Sequence, residues 1–488
     1  MAAAKRGAYI FFEVVDLYLV CGEKRIDFAA GERLIEVLWR GGVALNAPCG
    51  GKGICGKCFI ETAGKVCLAC LALGEDFDGA EVFVRDSGAM DVLEAYKSLH
   101  PAECDRGLPD GALGIAVDIG TTTIALQLLD MYSGRPVAAF SMENSQRRFG
   151  ADVISRTEFA NKGGLEQLRD CIIGDICHGV AALGGLDAKL IVIAGNTTML
   201  HILQGLPCNT LGVHPFAAVS LGLVRLRFPE LAGDCVILPG FSTFVGADIA
   251  AGILSCCSEN SLLIDLGTNG EMALMAGNKI FVTATAAGPA FEGGNISAGV
   301  ASVAGAIAKV KYNPAGQVFE YETIGGVPPV GICGTGMVDA TAELIKHGLV
   351  AENGKLNHGN NIQIGGKNLT QKDIREMQLA KSAIRSGIEI LLHTAGMAHN
   401  DIANVYLAGG FGHKINIENA CVLGIIPKEL HNKTTAIGNA SLRGAAQVLL
   451  SQAKEANIVV LAQSATEVNL ASHPMFNDLF MDNLMLGM

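Results

Sequence analysis

Two copies of one strand-and-turn pattern constrain the fold of this 488-residue chain more than any other feature. An apolar strand runs into residues 117–123 (Val-Asp-Ile-Gly-Thr-Thr-Thr), and another runs into residues 264–270 (Ile-Asp-Leu-Gly-Thr-Asn-Gly). Each half later carries a second apolar strand that ends in a glycine turn, at residues 193–198 and 406–412. The chain is too long for one ordinary core, so the repeat predicts two similar α/β lobes that face one cleft.

The first turn combines residue types that suit a phosphate and its metal. Gly120 permits close approach of the backbone, and the hydroxyls of Thr121, Thr122 and Thr123 donate to phosphate oxygens together with the turn amides. Asp118 stands at the strand end, where a carboxylate is suited to hold Mg²⁺ through water. Alone, such a turn is also compatible with a merely structural strand end.

The second copy strengthens the nucleotide interpretation. Asp265, Gly267 and Thr268 occupy the matching positions of the second turn. Two acidic strand ends in facing lobes would grip a metal-nucleotide between them, which favours an ATP and Mg²⁺ site over a structural duplication.

Two glycine-rich segments are further candidates for nucleotide contact. Gly409, Gly410 and Gly412 lack side chains where an adenine or ribose would lie on the backbone. Alone, a tight strand–helix turn explains them equally well, but their place after the two Asp-x-Gly-Thr turns favours the nucleotide interpretation. Residues 331–336 open a helix whose free amides would meet a phosphate or ribose. Close helix packing is the alternative for that run.

Two polar turns, at residues 195–198 and 246–248, border apolar segments. Either would sense phosphate or position an attacking water, which makes Asp248 the candidate catalytic residue. The competing interpretation of Asp248 is a helix cap.

Five of the 15 cysteines lie between Cys49 and Cys70, which is a ligand pattern. Cys49, Cys55 and Cys58 on one glycine-rich loop, with Cys67 or Cys70 further on, resemble the plant-type 2Fe–2S spacing with one inserted residue. The rival is structural zinc on two CxxC knuckles, residues 55–58 and 67–70. The short gap between the knuckles, and the absence of a role for Cys49, favour iron–sulfur.

The flanking sequence predicts a small α+β unit of the β-grasp, ferredoxin-like type. Residues 13–29 alternate like a hairpin around residues 21–24, Arg33–Arg40 has helical spacing, and residues 81–85 are strand-like. We expect a cluster domain over residues 1–85, a linker over 86–113 with one short helix near 93–99, and ATPase lobes over 114–260 and 261–488.

Charge and hydropathy exclude several classes of protein. A net charge of −12 without a basic stripe argues against nucleic-acid binding. The most apolar early stretch, residues 8–20, contains Glu13 and Asp16 and is short for a membrane span or signal peptide. We expect a cytoplasmic protein that does not bind membranes and whose other thiols are reduced.

At this point the chain resembles the reductive activators of corrinoid enzymes. The ATPase of that family belongs to the actin/sugar-kinase/chaperone superfamily, which has two ribonuclease-H-like lobes. The matching segments, together with the Leu68-Ala69-Cys70 setting of the final cysteine, are residues 149–156, 194–199, 245–249, 287–293, 331–336, 408–412, 438–440 and 473–476.

The resemblance implies Cys49, Cys55, Cys58 and Cys70 as the ligands of a 2Fe–2S cluster. It implies ATP-dependent, one-electron reduction of Co(II) to Co(I) on a corrinoid protein of a methyltransferase system, in anaerobic metabolism. Reduced ferredoxin or another low-potential donor would supply the electron, and a second copy of the chain is a candidate partner.

Two departures from the family bear on docking and nucleotide turnover. Longer relatives carry an extra small domain where this chain has only residues 86–113, and Ala301 stands where an arginine is usual. Two other functions stay open: a nucleotide switch or chaperone-like binder with a structural metal domain, and a small-molecule kinase of the same superfamily.

Overall fold

The computed structural model of the protein describes residues 17–22, 24–41, 43, 58–62, 65–84, 104–357, 359–412 and 414–487. The chain divides into two compact units, Met1–Asp86 and Ser87–Met488. Cys49, Cys55 and the short helix predicted near residues 93–99 lie outside the described residues. None of the helices in the described ranges has both the length and the apolar composition that crossing a bilayer requires.

The first unit contains a hairpin, a helix and a three-stranded sheet. Its elements are β1 (Leu17–Cys21), β2 (Lys24–Phe28), α1 (Leu34–Arg40), β3 (Phe59–Thr62), β4 (Lys65–Leu68) and β5 (Phe83–Val84). Strands β1 and β2 pair antiparallel across the turn at Gly22, and β3 lies between β4 and β5. The predicted helix is present, and so is the hairpin in its described part, residues 17–28. Of the strand predicted over residues 81–85, the described part contains β5 (Phe83–Val84), while Arg85 lies outside the described residues.

Helix α1 supplies the core of this unit because its apolar residues recur on one face. Leu34, Ile35, Val37 and Leu38 are fully buried. They share one apolar cluster with strand residues and two cysteines, whose members include Leu19, Ile26, Ile60, Cys58 and Cys70.

The first sheet of the second unit has six strands. They are β6 (Leu113–Ile119), β7 (Thr123–Asp130), β8 (Pro136–Glu143), β9 (Leu190–Gly195), β10 (Val224–Leu226) and β11 (Asp234–Ile237). Their order is β10-β11-β9-β6-β7-β8. Strands β6, β7 and β8 form an antiparallel meander, while β9 runs parallel to β6 and β11 runs parallel to β9.

A second six-stranded sheet repeats this plan with the order β21-β20-β12-β13-β14-β22. The remaining strands are β12 (Ser261–Leu266), β13 (Gly270–Ala276), β14 (Lys279–Thr285), β15 (Ala306–Asn313), β16 (Val318–Thr323), β17 (Gly331–Ile332), β18 (Asn361–Ile364), β19 (Lys367–Thr370), β20 (Asn404–Ala408), β21 (Thr434–Gly438) and β22 (Ala465–Glu467). Without the edge strands β10 and β22, each sheet has five strands. Numbered along the chain and read from the β8 or β14 edge, both sheets have the order third-second-first-fourth-fifth. The predicted duplication is therefore confirmed as two ribonuclease-H-like sheets.

Helices pack on both sheets. They are α2 (Val153–Phe159), α3 (Leu165–Ala182), α4 (Thr197–Gln204), α5 (Ala247–Cys256), α6 (Gly334–Lys346), α7 (Gln371–Ala395), α8 (Gly409–Gly412), α9 (Ile417–Leu423), α10 (Ala440–Leu450), α11 (Gln452–Ser464) and α12 (Phe476–Asp482).

Helices α10 and α11 lie between strands β21 and β22 of the second sheet in sequence but pack on the first. Leu442, Val448 and Ile458 are fully buried in the core of the first sheet. Helix α10 also crosses α5 in backbone contact, since a Cβ on Gly444 would lie 2.0 Å from the carbonyl oxygen of Ala251. The chain therefore returns to the first lobe near its C-terminal end.

The segment just before β6 is held to the end of α10 by hydrogen bonds and an ion pair. Arg106 donates from Nε to the carbonyl of Leu449 and from Nη2 to that of Val448, both at 2.6 Å. The same Nη2 pairs with the largely buried carboxylate of Glu455 at 2.7 Å. Asp105 accepts from the hydroxyl of Ser451 at 2.8 Å, at the start of α11.

Candidate nucleotide and cluster sites

The first turn follows strand β6 and is closed by its own backbone. The Gly120 N–H donates to the carbonyl of Thr123 at 2.9 Å, and a Cβ at position 120 would lie 2.8 Å from that oxygen. Thr121 and Thr122 are half-buried on the turn, while Thr123 is exposed and begins β7. Glycine is therefore required at position 120 by sterics, and two of the three predicted hydroxyls lie in the turn itself.

Side chains from three other segments support this turn. Asn144 donates from Nδ2 to the Gly120 carbonyl at 2.9 Å, and Asn196 donates from Nδ2 to the Thr121 hydroxyl at 3.0 Å. Arg156 donates from Nη2 to the Thr121 carbonyl at 2.6 Å. Asn196 also caps helix α4. The polar turn predicted at residues 195–198 thus contacts the first turn, whereas no sequence pattern gave a role to Asn144 or Arg156.

The carboxylate of Asp118 is held from across the molecule by the start of α10. Asn439 Nδ2 donates to Oδ2 and Ser441 Oγ donates to Oδ1, both at 2.7 Å. Burial raises the pKa of Asp118, and these two hydrogen bonds act in the opposite direction. Two side chains more than 300 residues later in the sequence therefore fix the position of this carboxylate.

The second turn is closed by a carboxylate that sequence reasoning did not single out. Gly267 N–H donates to the Asn269 carbonyl at 3.1 Å, and Thr268 N–H donates to Glu292 Oε1 at 3.0 Å. The other oxygen of Glu292 lies 3.5 Å from the Thr122 hydroxyl, a long contact that reaches the first turn. The two predicted turns are therefore brought together around one side chain.

Beside Glu292, four further carboxylates gather where the two turns meet. Burial first, and then repulsion from Asp118, raises the pKa of Asp248 to about 7. Burial, followed by repulsion from Asp248 and Asp118, raises the pKa of Asp265 to about 8. Burial and the charge of Asp248 raise the pKa of Glu271 well above its usual value. Like charges held this close favour a cation among them.

Glu271 is the member of this group that sequence reasoning missed. It lies opposite Asp265 in the β12–β13 pair, and an acidic residue inside an apolar strand was the available signal. Asp248 lies in the first turn of α5 and accepts the Ile249 N–H at 2.9 Å. The N-cap position itself is Gly246, so Asp248 is not the cap residue of this helix.

A divalent cation at this point would need ligands beyond the protein. Among the described residues, no three acidic, cysteine or histidine side chains already surround one point as metal ligands. Mg²⁺ keeps several waters and takes phosphate oxygens in such sites. The donor set of carboxylates near a phosphate-type turn fits that mode of binding.

The glycine segments separate into two cases. Gly409 has φ of +91°, and a Cβ there would lie 2.6 Å from Oδ1 of Asp265, so this glycine adjoins the second turn. Gly410 is exposed beside it, and Gly412 ends the short helix α8. In the run at residues 331–336, a Cβ on Gly336 would lie 2.2 Å from the Ile307 carbonyl. Close packing is therefore sufficient to explain that run.

Two of the four predicted cluster ligands lie in the described residues. Cys58 and Cys70 are both buried, and the Cys70 N–H donates to Cys58 Sγ at 3.3 Å. Cys67 lies on β4 instead, and burial raises the pKa of its thiol. Backbone N–H donation to sulfur is typical of the surroundings of iron–sulfur ligands, so the Cys58–Cys70 pair fits such a group.

Two models of known protein families match the second unit. One family model, described as the RACo middle region, matches residues 113–260. Another, described as the C-terminal domain of RACo, the ASKHA domain, matches residues 259–488. ASKHA is the actin/sugar-kinase-like superfamily, so the predicted fold class is confirmed.

Three relatives extend the likeness over nearly the whole chain. The corrinoid activation enzyme RamQ of Eubacterium limosum is 30% identical over 584 residues, covering 95% of this chain and 98% of the relative. The Co(II) methylated amine-specific corrinoid protein reductase of Methanosarcina barkeri is 29% identical over 76% of each chain. A solved structure of a reductive activator for corrinoid, iron–sulfur protein superposes with a TM-score of 0.70 at 25% identity, covering 97% of this chain and 98% of its own.

Proposed function

Because the chain belongs to the family of reductive activators of corrinoid proteins, we propose that it reduces Co(II) to Co(I) on a corrinoid protein in an ATP-dependent, one-electron reaction. The observation that carries the ATP requirement is the meeting of two strand-end turns from two lobes around shared carboxylates. The partner is the corrinoid protein of a methyltransferase system, and reduced ferredoxin or another low-potential donor supplies the electron.

The nucleotide binds between the two turns. Thr121, Thr122 and Thr268 contact phosphate, with Gly120 and Gly267 leaving the backbone accessible. This assignment is supported by the hydrogen bonds that Asn144, Arg156 and Asn196 donate to the first turn. It is also supported by Gly409, whose missing Cβ leaves space beside Asp265. Gly410 and Gly412 continue that surface toward the base or ribose.

Mg²⁺, when bound, neutralises phosphate charge, and Asp118 and Asp265 hold it through water. Burial raises the pKa values of both carboxyl groups, and for Asp265 repulsion from neighbouring carboxylates adds to it; a divalent ion would relieve that repulsion. Asp248 lies in the same group and is the candidate to orient the attacking water.

Cys49, Cys55, Cys58 and Cys70 hold a 2Fe–2S cluster, which when bound supplies one electron at low potential. The burial of Cys58 and Cys70 and the N–H donated between them support this assignment. Reaching Co(I) is uphill for such a donor. ATP can assist only by binding one conformation of the protein better than another, so we assign it the closed, partner-engaged state.

The test uses the whole protein purified without oxygen. Reduced protein, Mg-ATP and a corrinoid protein in the Co(II) state are mixed, and the Co(I) absorption band is followed. We expect the band to form with ATP and to be largely absent without it. Equal formation in both samples would overturn the energy coupling.

Metal analysis of the same preparation separates this proposal from a structural-metal protein. We expect iron and visible colour, and loss of both in Cys58→Ser. The matched control is Cys208→Ser, which removes a buried thiol of the first lobe that is distant in sequence from the cluster loop. A colourless, zinc-containing wild-type protein would contradict the assignment of an iron–sulfur cluster.

A further inference from the structure

Arg156 is a fully buried cation directly beneath the first turn. Its guanidinium donates from Nη2 to the Thr121 carbonyl at 2.6 Å, from Nε to the Gly150 carbonyl at 3.0 Å and from Nη1 to Gln146 Oε1 at 3.1 Å. The last partner, Met199 Sδ, lies 3.3 Å from Nη1. Every one of these acceptors is uncharged.

No carboxylate within the described part of the chain forms an ion pair with Arg156. The three acidic side chains that attract it electrostatically are engaged elsewhere. Glu143 pairs with another arginine, Asp152 caps helix α2, and Asp175 accepts a backbone N–H at 2.9 Å. Burial lowers the pKa of Arg156 to about 10, so the guanidinium stays charged at neutral pH.

A buried charge without a counter-ion is costly to a fold. Hydrogen bonds to neutral acceptors reduce that cost without cancelling the charge. A positive field therefore remains beneath the turn, and it favours an anion on the other side of it. This is the electrostatic reason to connect Arg156 with the ligand of the turn.

The geometry of one peptide unit supplies the second reason. In a trans peptide the carbonyl and the following N–H point in opposite directions. Arg156 draws the Thr121 carbonyl inward, so the N–H of Thr122 points away from Arg156. That N–H has no acceptor among the described residues, which leaves it free for a ligand.

We propose that Arg156 is a positioning residue for nucleotide phosphate: it fixes the Thr121–Thr122 peptide so that its N–H faces the ligand, and it places a positive charge behind that peptide. This rests on the proposed nucleotide site. It adds that recognition of the phosphate, and not of the nucleoside, depends on a side chain that never touches the ligand.

The experiment compares binding of Mg-ADP with binding of adenosine by calorimetry, using the full-length protein. Arg156→Met removes the charge. Gln146→Glu places a carboxylate on the same guanidinium and keeps the side-chain shape, but it loses the hydrogen bond that Gln146 Nε2 donates to the Leu168 carbonyl. In both variants we expect the affinity for Mg-ADP to fall at least tenfold while the affinity for adenosine stays within twofold of wild type. Arg169→Met is the matched control, since Arg169 donates to a backbone carbonyl in the same lobe but away from the turn.

Other outcomes are equally decisive. If both ligands weaken together, Arg156 is only a structural residue and the proposal is wrong. It is also wrong if neither ligand weakens. Should Arg156→Met fail to melt cooperatively, Gln146→Glu decides the question. If wild type itself does not bind Mg-ADP, the proposed function fails first, and that result is distinct from a failure of Arg156.

Discussion

The two strand-end turns share a sheet topology and differ in what lies behind them. The first turn is backed by a buried guanidinium and two amide side chains. The second is backed by Glu292 and adjoins Asp265, Asp248 and Glu271. Duplication of the fold therefore did not duplicate the electrostatics: positive charge lies behind one turn and negative charge behind the other. A metal-bound phosphate carries both signs and can satisfy both turns at once.

The largest expected effect comes from removing the carboxylate of the first turn. Asp118→Asn should weaken Mg-ADP binding about a hundredfold, or ~2.7 kcal/mol, because a metal-facing charge is lost. The new amide keeps one oxygen as acceptor for Asn439 Nδ2, and its NH₂ group can donate to the Ser441 hydroxyl. Titration calorimetry with and without Mg²⁺ measures this loss of affinity. The control Asp187→Asn changes an exposed carboxylate and should bind as wild type does. Unchanged binding by Asp118→Asn would show that Asp118 does not hold the metal.

Next in size is the steric requirement of the second turn. Gly409→Ala should lower the free energy of unfolding by about 2 kcal/mol, because its φ is +91° and the new Cβ would lie 2.6 Å from Asp265 Oδ1. Gly410→Ala is the matched control, since no atom lies within 4 Å of its Cβ position. Chemical denaturation of both variants gives the comparison. Equal stabilities would show that the second turn relaxes freely.

The acidic side of the comparison predicts a pH dependence. Burial and neighbouring carboxylates raise the pKa of Asp265 to about 8 in the folded protein, so the folded state holds a proton that the unfolded state releases at lower pH. Its contribution is fully present below pH ~4 and is lost as pH rises through about 8. The thermal midpoint of the nucleotide-free protein should fall as the pH rises from ~4 to about 8. Asp265→Asn should flatten this slope, and a slope that persists in the variant belongs to other groups.

The smallest effect should come from Glu292. Replacing it with glutamine keeps an acceptor for the Thr268 N–H but removes one negative charge beside Asp265. Mg-ADP should then bind about threefold more weakly, or ~0.6 kcal/mol, because one of the negative charges that favour the cation is lost. Glu259→Gln, an exposed carboxylate, serves as control. Tighter binding by Glu292→Gln would mean that its charge repels the nucleotide instead of holding the metal.

Sequence reasoning reached the repeat because each copy keeps a buried strand immediately before an Asp-x-Gly-Thr turn. That pattern is local, so Asp118 and Asp265 could be found without a structure. The hairpin and helix α1 were predictable for the same reason, since alternation and helical spacing are properties of short segments. The ligand roles of Cys49, Cys55, Cys58 and Cys70, and the domain boundaries, stay predictions.

Contacts between distant segments were beyond such reasoning. The apolar face of α10 predicts a buried helix, but it does not indicate which sheet the helix packs on. The contact of Asn439 and Ser441 with Asp118 was therefore not predictable. Arg156 shows the same limit: nothing in its neighbours reveals that its guanidinium is buried. Glu271 was closer to reach, because an acidic residue within an apolar strand is a visible anomaly.

Helix α10 gives the molecule a mechanical connection. It has 11 residues, which corresponds to a rod of roughly 16 Å. One end carries the side chains that grip Asp118, and the other end is grasped by Arg106 just before β6. A rod this short transmits displacement instead of absorbing it. A shift of the strand-end carboxylate is therefore transmitted along α10 to the segment around Arg106.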